Sequence, residues 1–381
     1  MDLISGAPGQ ALSCRVIAHG NAPHLAQLHT GFAMLAQSGR VRLTYEYGDF
    51  RWDARLLRRQ EPPVCGLYVL IADRVLAYYD LRDGSDLDAQ ALEVADLYFK
   101  RSYWLEATPA RYRHKVMPLG LNYEVHPDVP GVHDLQRLIA HRAFSRSFFR
   151  SAVRLTSQIT GCPLLSVPEV TRMCADPAPG LAPRALFMVR AWDPAQEKDL
   201  SPAVKEDRRS VNEMRAACVR ALRKAYGGQF TGGFAHTPYA IRHYPDVLLE
   251  HPALARQDRY LQLLKAHPVC IATTGLHGSV GWKFGEYVAF SRAIVSEKLQ
   301  FVPPEGFAQG QHYLAFSTPE ECVHATGLLM SDSALRGRLM NNNQAYYRQH
   351  LKPDVFVWRT LALAAEAAMP ETRTASPRSS M

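Results

Sequence analysis

Short apolar runs alternate with longer amphipathic segments from one end of the chain to the other. That is the pattern of α/β layering around a parallel sheet. Cys14–Ala18 predicts a first strand, followed by His19-Gly20-Asn21 and a helix to Gln37. Val41–Tyr47 predicts a second strand, and Leu67–Ala72 and Val75–Tyr79 two more, divided by a turn at Asp73-Arg74. Asp88–Phe99 reads as a helix with Leu92, Ala95 and Phe99 on one side. Lys115–Leu119 reads as a strand running into Gly120-Leu121-Asn122.

Between Pro127 and Pro183 the pattern changes. A helix over Leu135–Ile159 carries arginines at 142, 146, 150 and 154, with Phe144, Phe148 and Phe149 beside them. A stripe of that kind suits an anionic lipid or acceptor, but a solvated helix face docked on its own domain is the favoured reading. Pro177-Ala178-Pro179-Gly180 and Pro183 mark the connection to a second α/β set. That set begins with a strand at Arg184–Val189. A helix over Arg208–Tyr226 follows, with Val211, Met214, Cys218 and Leu222 at helical spacing. Then come a strand at Val269–Thr273, a helix near Trp282–Ser291, a strand at Ala293–Ser296, and helices over Pro319–Ser331 and Asp332–Tyr347. The expected division is an N-terminal α/β domain over 1–175, a C-terminal α/β domain over 184–360, and a disordered tail over 367–381.

Composition adjusts this picture only slightly. Of 381 residues, 47% are hydrophobic and 21% charged, ordinary values for two packed cores. The net charge of +8 favours anionic partners, yet its arginines are dispersed rather than gathered in an aromatic-laced basic stripe, which argues against nucleic acid. Seven scattered cysteines without Cys-x-x-Cys fit reduced thiols, and residues 1–10 lack the features of a signal peptide. A cytoplasmic protein, at most peripheral to the inner face of a membrane, is the expectation.

The chemistry concentrates in the stretch from Val269 to Ser296, an apolar strand, a glycine-punctuated loop, a helix start and another strand. Gly275, Gly278 and Gly281 permit close backbone approach, and the helix that follows offers unpaired N–H groups to a phosphate. Ser279 lies in that loop, Lys283 adds a cation, and Glu286, one turn on, can accept from two neighbouring hydroxyls such as those of a ribose. The alternative is a plain structural turn with Lys283 and Glu286 solvated. The loop has neither the Gly-Lys-Ser/Thr of a phosphate-binding loop nor a Gly-x-Gly-x-x-Gly after the first strand.

The run from Gly285 to Ser296 resembles the donor-site segment of GT-B glycosyltransferases, in which a Glu opens a helix that leads to an apolar strand. Tyr313–Phe316, Thr318–Val323 and Met340–Tyr347 resemble the elements that follow it. Ala185–Asp193 is similar to the first strand of such C-terminal domains. The resemblance implies two Rossmann-like domains facing a cleft, and a metal-independent transferase that binds a nucleotide sugar in its C-terminal half. It gives Arg190 a donor-phosphate role and Glu286 a ribose role. Retaining members often carry a second glutamate eight positions before this one, and here that position is Gly278. His277 or Ser279 then stands in, and the stereochemical outcome stays open.

Other candidates rest on position. Arg208, with Arg215 two turns on, opens a helix face that suits a diphosphate or a solvated basic surface. His19 follows the first strand at the edge where open sheets bind ligands, as a base or as a helix cap. Asp49, Asp80 and Asp96 are carboxylates that nothing in the sequence ranks. His24 and His29 lack metal-ligand spacing, and no metal is expected. The implied reaction is transfer of a sugar to a glycan or glycolipid acceptor, in cell-surface polysaccharide biosynthesis. A silent nucleotide-sugar-binding subunit and a sugar-nucleotide epimerase are the alternatives.

Overall fold

The computed structural model describes residues 11–17, 23–46, 54–56, 65–129, 131–133, 168–197, 199–301 and 303–367, with 136, 153, 156 and 160 as isolated positions. His19, Asp49, the arginine stripe at 142–154 and residues 368–381 of the expected tail lie outside the described residues.

The first domain contains β1 (Leu12–Val16), α1 (Ala26–Gln37), β2 (Val41–Tyr45), β3 (Gly66–Ile71), β4 (Val75–Asp80), α2 (Ala89–Val94), β5 (Leu97–Lys100) and β6 (Val116–Pro118). Its strands lie in the order β2-β1-β3-β4-β5-β6. The expected all-parallel sheet is corrected here to a mixed one. β3 pairs antiparallel with both β1 and β4, while the outer pairs are parallel. The cause is a tight hairpin: Ala72 and Asp73 both take positive φ, 51° and 57°, and Arg74 N–H donates to Ile71 O at 3.1 Å. Two left-handed residues give a turn whose twist matches the flanking strands.

The single helix expected over Asp88–Phe99 is also corrected. It ends at Val94, Ala95 is extended, and Leu97–Lys100 forms a strand between β4 and β6. Leu97, Tyr98, Phe99 and Lys100 are all buried, as in a strand covered on both faces. Leu92, Ala95 and Phe99 therefore matched helical spacing across two different elements.

The second domain contains β7 (Ala185–Val189), α3 (Pro202–Tyr226), β8 (Phe230–Phe234), α4 (Pro238–His243), α5 (Gln257–Ala266), β9 (Val269–Ala272), α6 (Trp282–Ala289), β10 (Ala293–Glu297), β11 (Tyr313–Phe316), α7 (Pro319–Ser331) and α8 (Ser333–Tyr346). All its strands run parallel, in the order β11-β10-β9-β7-β8. α3 starts earlier than its apolar stripe suggests, because Ser201 caps it and Pro202 occupies its first turn.

A last helix, α9 (Pro353–Ala367), returns to the first domain after the π-helical turn Tyr347–Leu351. Phe356, Val357, Leu361 and Ala364 enter the core formed by α1 and the first sheet. Gly31 makes this possible, since a Cβ there would stand 2.1 Å from Pro353 O. Residues 353–360, grouped by sequence with the second domain, thus pack in the first. In the opposite sense, Leu121, Tyr123, Val125, Val170 and Met173 pack into the second domain's core. The result is two α/β domains facing a cleft, the arrangement expected from the sequence.

Candidate donor site in the interdomain cleft

In the second sheet the chain passes from β7 outward to β8, then returns to lay β9 on the other side of β7. Open α/β sheets bind ligands outside the carboxyl ends of the strands at such a reversal. Here a cleft of about 520 Å³ opens at that point. Val189 and Arg190 line it from the end of β7, and Ile271–Thr273 and Gly275 from the end of β9. Its far wall belongs to the first domain and includes His24, Asp83 and Arg101. A second cavity of about 300 Å³ adjoins it, sharing Val189, Arg190, Lys283 and Glu286 and reaching Tyr260 and Leu261.

The loop between β9 and α6 is held tightly. Gly275 N–H donates to Ser279 O at 2.7 Å, and Ser279 N–H donates to Leu276 O at 3.1 Å. His277 and Gly278 are both left-handed, with φ of 58° and 68°. Gly281 precedes α6 and supplies no side-chain cap, and Gly281, Trp282 and Lys283 at the start of that helix line the cleft. α6 approaches the first domain closely at Gly285, where a Cβ would stand 2.9 Å from Asn122 O.

Four expected site residues meet in this cleft: Arg190, Ser279, Lys283 and Glu286. Arg190 is exposed, and its side chain is available to an anion. Lys283 Nζ sits 3.8 Å from the Tyr260 ring centroid. Burial holds the Lys283 pKa below its ordinary value, and the nearby Glu286 opposes that shift. The Tyr260 hydroxyl donates to Glu286 Oε2 at 2.5 Å, which fixes one carboxylate oxygen. Burial, followed by Glu286, raises the Tyr260 pKa well above the usual phenol range, so this hydroxyl stays a donor.

Gly278 lines a separate groove with Asp207, Glu297 and Gln300. Arg208 and His277 are not among the side chains lining the cleft. Arg208 is buried, donating to Asp193 O at 2.8 Å and pairing with Glu197 at 3.0 Å. His277 is exposed, and its backbone N–H donates to Asp207 at 2.8 Å.

Arg215, rather than Arg208, reaches the cleft from α3. Its guanidinium donates to Thr273 Oγ1 at 2.9 Å, Arg190 O at 2.8 Å and Thr274 O at 3.2 Å, tying the ends of β7 and β9 together. Burial lowers its pKa to about 10. The signal for it was present in the sequence: Arg215 stands four residues after Val211 and three before Cys218, a cation on an apolar helix face.

The first domain's contribution was not singled out from sequence. Arg101 directly follows β5 and pairs with Asp83 at 2.7 Å. Its other terminal nitrogen crosses the cleft to donate to Val280 O at 2.6 Å. The His24 ring meets Trp282 edge-on, with centroids 4.6 Å apart. Burial, then the Arg101 charge, lowers the His24 pKa from 6.5, against the opposing pull of Asp83 and Glu124. Asp80 and Asp96 are structural. Asp80 is buried between Lys100 at 3.1 Å and Arg82 at 2.7 Å, and Asp96 accepts from Leu76 N–H and Arg55. Among the described residues, no group of three or more His, Cys, Asp or Glu side chains is placed to hold a metal ion, and no helix is long and apolar enough to cross a membrane.

No family model matches the sequence, and no curated protein matches it. Among solved structures, the chain is similar to the C-terminal domain of a glycosyl transferase group 1 family protein, LpcC, from Francisella tularensis. The identity is 12% and the TM-score 0.33, over 48% of this chain and 97% of that one. It is also similar to HepE of Anabaena in complex with UDP, at 11% identity and TM-score 0.38, over 96% of this chain and 81% of that one. A third likeness is to MnaA of S. aureus with UDP, at 12% identity and TM-score 0.34, over 91% and 72%. These likenesses are loose, so the reading of the cleft rests on its own geometry.

Proposed function

We propose that the protein is a glycosyltransferase that moves a sugar, of the hexosyl or a related class, from a nucleotide-diphosphate donor to a glycan or lipid-linked acceptor. The observation that carries this reading is the convergence, at the strand-order reversal of the second sheet, of an uncapped helix N-terminus, Arg190, Lys283 and the oriented carboxylate of Glu286. Cations and N–H dipoles in that cluster meet a diphosphate, while Glu286 accepts from a ribose diol. As the bond to the sugar breaks, negative charge grows on the leaving diphosphate. Arg190, Lys283 and the helix N-terminus stabilise it in place, an electrostatic role that needs no metal ion.

The first domain brings the acceptor. In this reading His24, whose lowered pKa leaves its imidazole neutral near pH 7, accepts the proton of the attacking hydroxyl. His19 has the alternative claim to that role. The proposed setting is the cytoplasmic side of cell-surface glycan assembly.

A silent nucleotide-sugar-binding subunit is the second reading, and one observation favours it. Gly278 occupies the position of the absent glutamate with φ 68°, a left-handed backbone that residues with a Cβ rarely adopt. The backbone at 278 therefore selects glycine over a sugar-contacting carboxylate.

Thermal unfolding against a panel of nucleoside diphosphates and nucleotide sugars tests the donor site. One nucleotide should raise Tm by mass action, and Glu286→Ala should remove the shift while excess chelator leaves it in place. No shift with any nucleotide would sink the reading. Release of nucleoside diphosphate only when an acceptor is present separates a transferase from a silent binder.

A further inference from the structure

The segment between β5 and β6 leaves the cleft at Arg101 and rejoins the sheet at Val116. Its tip presents apolar side chains to solvent: Trp104 is 48% exposed and Leu105 46%, and Ala107, Pro109 and Ala110 are exposed beside them. Exposed Arg111, Arg113 and His114 follow within the same loop, where Glu106 is the single acid.

The loop is built to hold this shape. Thr108 donates through its hydroxyl to Trp104 O at 3.0 Å and through its N–H to Leu105 O at 3.1 Å. Arg113 Nε donates to Thr108 O at 3.1 Å, and Lys115 Nζ to Leu92 O at 2.5 Å and Ala95 O at 2.9 Å. A single exposed apolar residue is ordinary, but an indole and a leucine half exposed on a braced tip, with Arg111 and Arg113 exposed further along the same loop, form an amphipathic surface.

We propose that this loop docks the protein on an anionic lipid membrane. Trp104 and Leu105 enter the interfacial layer, where indoles partition favourably, and Arg111 and Arg113 meet lipid phosphates. Charge complementarity selects this occupant, since the cations further along the loop suit an acidic surface. The position adds a consequence. Arg101, three residues before Trp104, lines the cleft, so docking sets the cleft mouth at the bilayer surface. This consequence rests on the transferase reading and narrows its acceptor to one presented by lipid. Lipid binding itself is measured without any nucleotide, so the two ideas fail separately.

The test is co-sedimentation of the full chain with vesicles of phosphatidylcholine containing about one-third phosphatidylglycerol, against phosphatidylcholine alone. Wild type should bind the anionic vesicles and release them in high salt. The double variant Trp104→Ser, Leu105→Ser should bind about tenfold or more weaker, with its melting temperature lowered by only about a few degrees because about half of each side chain is already in solvent. Indole fluorescence should shift to the blue on vesicle addition. Trp104→Phe should abolish that shift while retaining part of the binding. Wild-type protein that ignores anionic vesicles, or a double variant that binds them as well as wild type, overturns the proposal. Self-association that disappears in the double variant, without vesicle binding, would assign the surface to a second copy of the chain instead.

Discussion

Glu286 illustrates how much a single residue's role depends on its neighbour. A carboxylate near a helix start is ordinary, but here the Tyr260 hydroxyl fixes Oε2 at 2.5 Å and the tyrosine ring carries Lys283 Nζ at 3.8 Å. One side chain therefore places both the proposed diol acceptor and the proposed phosphate cation. Tyr260→Phe separates the two functions. The ring and its cation–π contact remain, while the hydrogen bond to the charged carboxylate is lost. The expected outcome is about a tenfold loss of nucleoside diphosphate affinity in calorimetry, with far-UV circular dichroism unchanged. Wild-type affinity in this variant would show that Glu286 needs no such orientation.

At the scale of elements, the contact between α1 and α9 closes the first domain, and Gly31 is its point of closest approach. A methyl there meets Pro353 O at 2.1 Å and Val357 at 2.5 Å. Gly31→Ala should thus destabilise the protein, despite alanine's higher helix propensity, by about 1–3 kcal/mol of overpacking strain. Denaturant titration gives the sign directly, and a stabilised variant would mean that the helices separate without cost. This contact also marks the limit of what local pattern revealed. The strands flanking the donor loop were legible, because Val269–Ala272 and Ala293–Glu297 are buried on both faces and bounded by glycine or charge. The return of α9 to the first sheet was not, because its apolar stripe fits either core. The antiparallel pair in the first sheet was implied by the tight turn read at Asp73-Arg74, since strands joined so closely pair antiparallel, whereas the antiparallel pairing of β1 with β3 had no local signal. In the cleft, Arg190, Lys283 and Glu286 were readable from their place after strands. Arg101, Asp83 and His24 belong to the opposite wall and become site residues only when the two domains meet.

The whole molecule carries a pH dependence that follows from burial. His24, His267, His312 and His350 all have pKa values lowered from 6.5, in each case first by burial. The unfolded chain takes up protons at these imidazoles near their ordinary value, while the folded chain leaves them neutral. Stability from this source is complete above about pH 6.5 and declines as pH falls from there toward the lower folded values. Asp80 acts in the same direction at lower pH. Burial pushes its pKa up, but Arg82 and Lys100 prevail and hold it below 3.8. That increment is present above the unfolded carboxylate range and is lost as pH drops through the folded pKa. Melting temperatures between about pH 8 and pH 5 should therefore fall most steeply below pH 6.5. His267 provides the control, being 2% exposed with both ring nitrogens engaged, by Leu263 O at 2.7 Å and Thr231 Oγ1 at 3.1 Å. His267→Gln should lower stability at pH 8 and flatten the decline toward pH 5, since one proton-linked group has been removed. A profile as steep as wild type would assign the acid sensitivity to groups other than this buried imidazole.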